Sequence, residues 1–194
     1  MTPGRIGLLV AIVAIIIFVI GGINTIPTKE EQVNAAWAEV QVQYQRRMDL
    51  IPNLVETVKG YANFEKSTLT DVIEARADAT KVTITPETLN DPQAMKNFEQ
   101  AQGRLSGSLS RLMAVSERYP DLKANQQFLS LQSQLEGTEN RIAVARRDYV
   151  QVVQSYNITV RTFPGMIWAS FYGAKPKANF TADDEAQKAP AVKF

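Results

Sequence analysis

The sequence FLSLQSQLEGTENRIAVARRDYVQVVQSY, at residues 128–156, carries the most regular hydrophobic pattern of the chain. Apolar or small residues recur there at alternating intervals of three and four, which places them in one stripe on one face of an α-helix, as in a coiled coil. The stripe consists of Phe128, Leu131, Leu135, Thr138, Ile142, Ala145, Tyr149, Val152 and Tyr156. Such a helix needs other helices to cover its stripe, so the pattern predicts an all-α bundle.

Two amphipathic segments precede this helix and can supply its partners. The first has the stripe Val33, Trp37, Val40, Tyr44, Ile51, Val55, Val58, Ala62, Leu69 and Val72. The second has the stripe Phe98, Leu105, Leu109, Leu112 and Tyr119. The β-branched residues and the proline in 80–90 predict a loop between them, and Asp91 and Pro92 predict the N-cap and first residue of the second helix. Asn125 is the expected N-cap of the third helix, and the short turn at 120–125 favours antiparallel neighbours.

Two features of the first segment need separate arguments, the residue at which its helix begins and the effect of Pro52. Thr28 and Glu31 have the spacing of a capping box, so we expect the helix to begin at Thr28. Pro52 either kinks a continuous helix or starts a new one, and we favour the kink because the stripe keeps its phase. The predicted architecture is an elongated antiparallel three- or four-helix bundle with coiled-coil-like packing.

Residues 6–23, IGLLVAIVAIIIFVIGGI, form an apolar run without charge or proline. A helix of these 18 residues is roughly 27 Å long, close to the hydrocarbon thickness of a bilayer. We predict an uncleaved single transmembrane helix, because the run has no polar face and lacks the cleavage site of a signal peptide. Arg5 predicts a cytoplasmic N-terminus and an extracytoplasmic bundle. The expected division is 1–26 (N-terminus and anchor), 27–165 (bundle) and 166–194 (apolar segment and tail).

Composition limits the chemistry that the chain can perform. Its 194 residues include no Cys and no His, which excludes disulfides, thiol nucleophiles, cysteine-linked lipids, Ser-His-Asp triads and the usual zinc sites. There are 21 Lys and Arg against 20 Asp and Glu, and this balance argues against a nucleic-acid-binding protein. The sequence has no EF-hand spacing and no glycine-rich phosphate loop. We expect no enzyme activity, cofactor or metal; a carboxylate-dependent enzyme is a distant alternative.

Two groups of residues are candidates for binding a partner. One surrounds Pro52 and is either a polar hinge that a partner recognises or an intramolecular network, and we favour the network because charged residues on helices usually form a solvated face. The other lies in the apolar segment MIWASFYG at 166–173, which can dock on the bundle, lie on the membrane or contact another subunit. The candidates are Arg46, Arg47, Asp49, Asn53, Glu56, Lys59, Trp168 and Phe171. Residues 174–194 are expected to be extended or mobile unless a partner orders them.

Two long motifs resemble those of a known family. The stretch AAWAEVQVQYQRRMDLIPNLVETVKGYANFE at 35–65 resembles one signature of the LemA family, and ERYPDLKANQQFLSLQSQLEGTENRIAVARRDYVQVVQSYN at 117–157 resembles a second. Phe163-Pro164 and the closing PAVKF also match, so the resemblance covers residues 20–194. It implies a bacterial-type single-pass protein with an outward-facing helical bundle and no established enzymatic activity. Phe64 stands where the family often has His.

The resemblance also suggests what such a protein does. Relatives are linked to membrane remodelling around magnetosomes, and family members are encountered near envelope proteases and stress systems. We therefore expect a non-enzymatic scaffold or adaptor of the cell envelope, and the alternative is a membrane-remodelling or lipid-contacting protein. The expected partners are membrane lipid, further copies in a homo-oligomer with 166–172 at the contact, and another envelope membrane protein, but no nucleic acid.

Overall fold

The computed structural model describes residues 3–61 and 65–181, and within these ranges the chain forms seven α-helices, one 3-10 turn and no strand. The helices are α1 (Pro3–Ile23), α2 (Thr25–Lys59), α3 (Lys66–Lys81), α4 (Pro92–Ser116), α5 (Pro120–Lys123), α6 (Gln126–Arg161) and α7 (Gly165–Tyr172), and the 3-10 turn is Pro86–Thr88. The all-α prediction, with one apolar N-terminal helix followed by a bundle, is confirmed. Ala62 and Phe64, and the tail at 182–194, lie outside the described residues.

The first helix, α1, is apolar on every side, and its described side chains from residue 7 to residue 21 are exposed. It is long and apolar enough to cross a membrane by length and composition. An apolar helix that has no polar face and no protein covering it needs a nonpolar solvent around it. The predicted anchor thus has the properties that a membrane-spanning helix requires.

The start of α2 corrects one prediction, because Thr28 is not its N-cap. The helix begins at Thr25, and Asn24 before it keeps right-handed helical angles (φ −90°, ψ −8°). The backbone N–H of Thr28 donates to the Asn24 carbonyl over 3.1 Å. Pro27 is tolerated because it falls in the first turn, where its missing N–H has no partner to lose. The helical path therefore passes from anchor to bundle with only a local interruption.

Pro52 lies inside α2 without ending it, so a single helix runs from Thr25 to Lys59, as favoured from the phase of its stripe. Proline removes the hydrogen bond to the carbonyl four residues earlier, which is that of Met48. That carbonyl instead accepts a hydrogen bond from Nε of Arg76 on α3, over 3.1 Å. Helix α2 ends farther on, at Lys59, and α3 follows as a separate helix. The bundle therefore has four long helices because α2 ends at Lys59, and not because Pro52 interrupts it.

The long helices run antiparallel to their neighbours. Trp37 and Arg47 of α2 contact Tyr149 and Glu139 of α6 in reverse order, and the ion pairs between α3 and α4 have the same reversed order. Asp91 caps α4 by accepting from the N–H groups of residues 93 and 94, and Asn125 caps α6 by accepting from residue 128, so both predicted caps are confirmed.

The buried apolar side chains form two clusters, separated along the bundle. The proximal cluster, beside α1, contains Ile26, Val33, Trp37, Val40, Tyr44, Ile84, Leu89, Met95, Phe98, Ile142, Ala145, Tyr149, Val153, Tyr156, Val160 and Ala169. The distal cluster contains Met48, Ile51, Leu54, Val55, Val58, Leu69, Val72, Ala75, Ala79, Leu105, Leu109, Leu112, Val115, Leu122, Phe128, Leu131 and Leu135. The predicted stripes of the three segments supply most of both clusters.

One residue of the predicted α6 stripe is wrong: Val153 is fully buried, whereas the predicted Val152 is only partly buried. The next buried residue after Tyr149 lies four positions on, rather than three. This interval of four follows directly on another, from Ala145 to Tyr149. A straight helix with 3.6 residues per turn drifts relative to a strict heptad repeat, and an extra interval of four restores the stripe to the core. Gly107 of α4 does not mark a close helix contact, because a Cβ added there would meet nothing within 4 Å.

Candidate functional site

A buried arginine lies at the boundary between the two clusters. Arg47 is 1% exposed, and its neighbours in sequence belong to different clusters, Tyr44 to the proximal and Met48 to the distal one. Its Nη1 donates to Oγ of Ser106 over 2.7 Å and to Oε1 of Glu139 over 2.8 Å. Its Nη2 donates to the side-chain and backbone oxygens of Gln102.

These four residues form what we call the polar layer: Arg47, Gln102, Ser106 and Glu139. It joins α2, α4 and α6 in one plane of the bundle, and the Arg47 guanidinium also lies 5.1 Å from the Tyr44 ring centroid. A buried charge is tolerated only when it is paired and hydrogen-bonded, and only one end of this ion pair reaches water, because the Glu139 side chain is 43% exposed. The polar layer therefore fixes how three helices align, since a shift along α2 would bury the charge without acceptors.

The other predicted residues around Pro52 do not join Arg47. Arg46, Asp49, Asn53, Glu56 and Lys59 are all exposed. Lys59 pairs with Glu56 over 2.9 Å, as the i, i+3 spacing predicts, whereas Asp49 accepts from Gln45 instead of pairing with Arg46. Within the described residues, the predicted cluster thus divides into one buried structural cation and a solvated face.

The second candidate group lies beside the end of α1. The indole of Trp168 covers Gly22 so closely that a Cβ added to that glycine would overlap it. The same indole lies 6.1 Å from the Phe18 ring, and the hydroxyl of Tyr172 donates to the Ile23 carbonyl over 2.9 Å. We call this junction between the last turns of α1 and α7 the neck. Gly22 is required there because only a bare backbone lets the tryptophan ring approach the helix.

The outer face of α7 is strongly apolar. Phe171 is 76% exposed, and Phe163, Met166 and Ile167 are exposed next to it. The inner face is held by Ala169, which is buried in the proximal cluster. Trp168 and Phe171, the two predicted residues of this segment, therefore have different positions: Trp168 packs inward on α1, and Phe171 points away from the bundle.

The segment after α7 is extended, as expected, and is held by the protein itself as far as residue 181. The hydroxyls of Tyr149 and Tyr156 donate to the carbonyls of Ala178 and Lys175 over 3.0 and 3.2 Å. Asn157 exchanges two hydrogen bonds with the backbone of Lys177. This extended segment completes the proximal cluster, so the residues up to 181 are ordered by contacts within the chain.

Burial of the tyrosines that hold the tail changes their acidity. Burial raises the pKa of Tyr156 to about 12, with a smaller contribution from the Glu30 carboxylate, and burial also raises the pKa of Tyr149 above its ordinary value. Both groups therefore remain neutral hydrogen-bond donors at physiological pH. No group of three or more Asp or Glu residues close enough to hold a metal ion occurs in the part of the chain that the structure describes.

Sequence reasoning missed several contributors to these sites. Gln102 of the polar layer looked like an ordinary polar residue of α4, although its place in the apolar stripe, between Phe98 and Leu105, could have indicated burial. Gly22 lies at the end of the apolar run, where no local pattern distinguishes it from Gly21. Tyr172 was placed in the apolar segment, but its hydrogen bond to α1 links parts of the chain that no local pattern connects.

The amino-acid sequence of the chain is similar to those of a known protein family. A family model described as "LemA family" matches residues 36–194. The chain is 25% identical over 217 aligned positions to "Magnetosome protein MamQ 2" of Paramagnetospirillum magneticum, covering 98% of this chain and 79% of that protein. It is 25% identical to "Magnetosome protein MamQ" of Magnetospirillum gryphiswaldense, covering 85% of this chain and 66% of that protein. It is 23% identical to "Protein LemA" of Metamycoplasma hominis, covering 74% of this chain and 62% of that protein.

Proposed function

This chain belongs to the LemA family, and on that premise we propose that it is a non-enzymatic membrane scaffold attached to the bilayer at two points. Helix α1 spans the membrane with the Arg5 side in the cytoplasm. Helix α7 lies in the interfacial region on the other side, and the bundle extends outward from there. Fixing the bundle at two points sets its orientation, and a scaffold needs a defined orientation to present its helical faces to other envelope proteins.

The observation that carries this proposal is the packing of α7 against the end of α1. Phe18 and Gly22, which contact Trp168, lie in the last two turns of the apolar helix. At about 1.5 Å per residue, the five steps from Phe18 to Ile23 span roughly 7.5 Å. Trp168 is therefore held close to the level at which α1 leaves the hydrocarbon. Tryptophan and tyrosine are enriched at this level of membranes, because their rings are apolar and their N–H or O–H groups are polar.

The exposed face of α7 supports the same arrangement. Phe163, Met166, Ile167 and Phe171 are exposed beside the anchor, where an apolar face in water would be unfavourable. A short helix with one apolar face buried in the interfacial region is a recognised form of membrane contact. Two of the relatives are named as magnetosome proteins, and we take a role at a membrane from them for this chain as part of the proposal.

The two tryptophans of the chain allow a direct test. We expect Trp168, as the only tryptophan in a Trp37→Phe variant reconstituted in liposomes, to be quenched by lipids brominated near the headgroup more than by lipids brominated near the chain end. Trp37 serves as the control in a Trp168→Phe variant. It is 1% exposed and lies 14 residues beyond Ile23, roughly 21 Å along the helix, so it should not be quenched. Absence of quenching of Trp168 would contradict the second membrane contact.

Self-assembly is the second candidate role for the same face, because the apolar residues of α7 could instead be covered by another copy. The two candidates differ in their response to Phe171→Ser. If α7 contacts lipid, the variant weakens quenching of Trp168 and leaves particle size in mild detergent unchanged. If α7 contacts another copy, the variant reduces particle size by light scattering. Val144→Ser, at another exposed apolar position on α6, is the matched control and should change neither.

A further inference from the structure

A cavity of about 400 Å³ lies in the neck, between the end of α1 and the turn that joins α6 to α7. One side is lined by Ile17, Phe18 and Gly21, with Thr25 one turn farther along the same helical path, and the other side by Thr159, Thr162, Phe163 and Trp168. Its volume falls in the range of roughly 300–1,000 Å³ that is typical of pockets for small molecules. The cavity is therefore largely apolar, and its three threonine hydroxyls lie at the end toward the bundle.

We propose that this cavity binds one phospholipid molecule as a specific ligand. The inference rests on the proposed membrane attachment, and goes beyond it by naming a site and a ligand. A molecule that fits must be apolar along Ile17 and Phe18 and polar within a few ångströms of the threonines. A phospholipid at the membrane surface has this division between acyl chain and headgroup, and it reaches the site from the bilayer without crossing water.

The hydrogen-bonding groups of the cavity restrict the headgroup. The hydroxyls of Thr25, Thr159 and Thr162 already donate to the carbonyls of Gly21, Ser155 and Ile158 over 3.0, 3.0 and 2.8 Å. Their oxygen atoms are therefore left as acceptors. A headgroup that carries N–H donors satisfies them, whereas the methylated ammonium of choline cannot donate. The site accordingly takes phosphatidylethanolamine in preference to phosphatidylcholine.

The tryptophan in the cavity wall offers a ligand an apolar ring surface. Nε1 of Trp168 has no hydrogen-bond partner among the described residues, but it is buried against Gly22, where it is the atom nearest to an added Cβ. It therefore faces α1 and not the cavity, and the threonine hydroxyls are the hydrogen-bonding groups that a headgroup meets. The cavity lining contains no basic residue that would select an anionic lipid.

Two glycines of α1 give a matched pair of variants. Gly21 lines the cavity, and a Cβ added there meets nothing within 4 Å, so Gly21→Leu starts its side chain in open space and extends it into the cavity. Gly7 is equally open but lies near the other end of α1 and does not line the cavity, so Gly7→Leu is the control. Thr159→Val keeps the shape of a lining residue while removing its acceptor.

The experiment is native mass spectrometry of the full chain, extracted from liposomes of equal phosphatidylethanolamine and phosphatidylcholine. We expect wild type and Gly7→Leu to retain one phosphatidylethanolamine per chain, Gly21→Leu to lose it at least tenfold, and Thr159→Val to lose the preference over phosphatidylcholine. Wild type without retained lipid, lipid retained in the bulk ratio, or undiminished retention by Gly21→Leu would each overturn the inference. If Trp168 is nevertheless quenched by brominated lipids, the membrane contact stands and only the specific site fails.

Discussion

The proximal and distal halves of the bundle share α2, α4 and α6 but are stabilised differently. The distal cluster is almost entirely aliphatic, and Phe128 is its one fully buried aromatic residue among those described. Its two shorter helices are joined at the surface by ion pairs, Asp71 with Arg111 and Asp78 with Arg104. Exposed ion pairs contribute little, so packing of aliphatic side chains provides most of the stability of this half.

The proximal cluster contains Tyr156 and four further aromatic residues, Trp37, Tyr44, Phe98 and Tyr149, and the rings of these four pack edge to face. It also depends on chain segments without helix. Ile84 and Leu89 enter from the loop before α4, and the extended tail closes it through the tyrosine hydroxyls. The half beside the anchor therefore requires distant parts of the chain, whereas the distal half is formed by consecutive helices. The distal half is thus closed by helix packing, whereas the proximal half also joins the bundle to α7 through Ala169.

The most severe test of this comparison is to damage the distal packing alone. We expect Leu135→Ala to lower the free energy of unfolding by about 2–5 kcal/mol, because it removes a buried side chain and leaves a cavity. Hydrogen exchange followed by mass spectrometry should show faster exchange in distal peptides of α2 and α6 and a smaller change around Trp37. Equal acceleration in both halves would show that they unfold as one unit, and a loss of only a few tenths of a kcal/mol would place Leu135 at the surface.

The polar layer between the halves offers a second test. Replacing Arg47 with Met should lower the free energy of unfolding by about 1–3 kcal/mol, because the buried side chain of Gln102 loses its partner. Arg46→Met is the matched control, one residue away and exposed, and should change stability by no more than about 0.5 kcal/mol. Denaturant unfolding of the full chain in detergent measures both. If Arg47→Met were as stable as wild type, the layer would serve alignment of the helices rather than stability.

The smallest expected effect concerns the closure of the proximal half by its tail. Tyr156→Phe should cost about 0.5–1.5 kcal/mol near neutral pH, since one hydrogen bond to the Lys175 carbonyl is lost. The pKa of Tyr156 is raised to about 12 in the folded state, whereas an unfolded tyrosine titrates near 10. Above about pH 10 the unfolded state of the wild type is therefore favoured by ionisation.

The advantage of wild type over Tyr156→Phe should accordingly shrink as pH rises from about 10 to 12. Unfolding curves of both proteins at several alkaline pH values measure this difference, and the comparison cancels the titration of other groups. A difference that stays constant over this range would show that the tyrosine is solvated and that the tail does not bury it.

Much of the fold could be predicted because it depends on neighbours in sequence. The apolar run of α1, the caps at Asp91 and Asn125 and the stripe of α6 each depend on residues within a few positions of one another. Even the error at Val152 is local, since it came from assuming a strict heptad where a straight helix adds an interval of four. The candidate sites were less predictable, because six charged or polar residues around Pro52 look alike in sequence and only Arg47 turns inward.

The sequence by itself determined the apolar helix α1, the helical periodicity of the segments that follow and most of the residues that they bury, because periodicity and capping are properties of short stretches. The phase of the stripe already favoured an α2 that continues through Pro52, but only the tertiary structure shows that Arg76 of another helix satisfies the Met48 carbonyl. The tertiary structure also decided that Gly22 receives Trp168 and that Gln102, Ser106 and Glu139 surround Arg47. These contacts join residues far apart in the chain, and their free energy depends on a desolvated environment that exists only after the helices have packed.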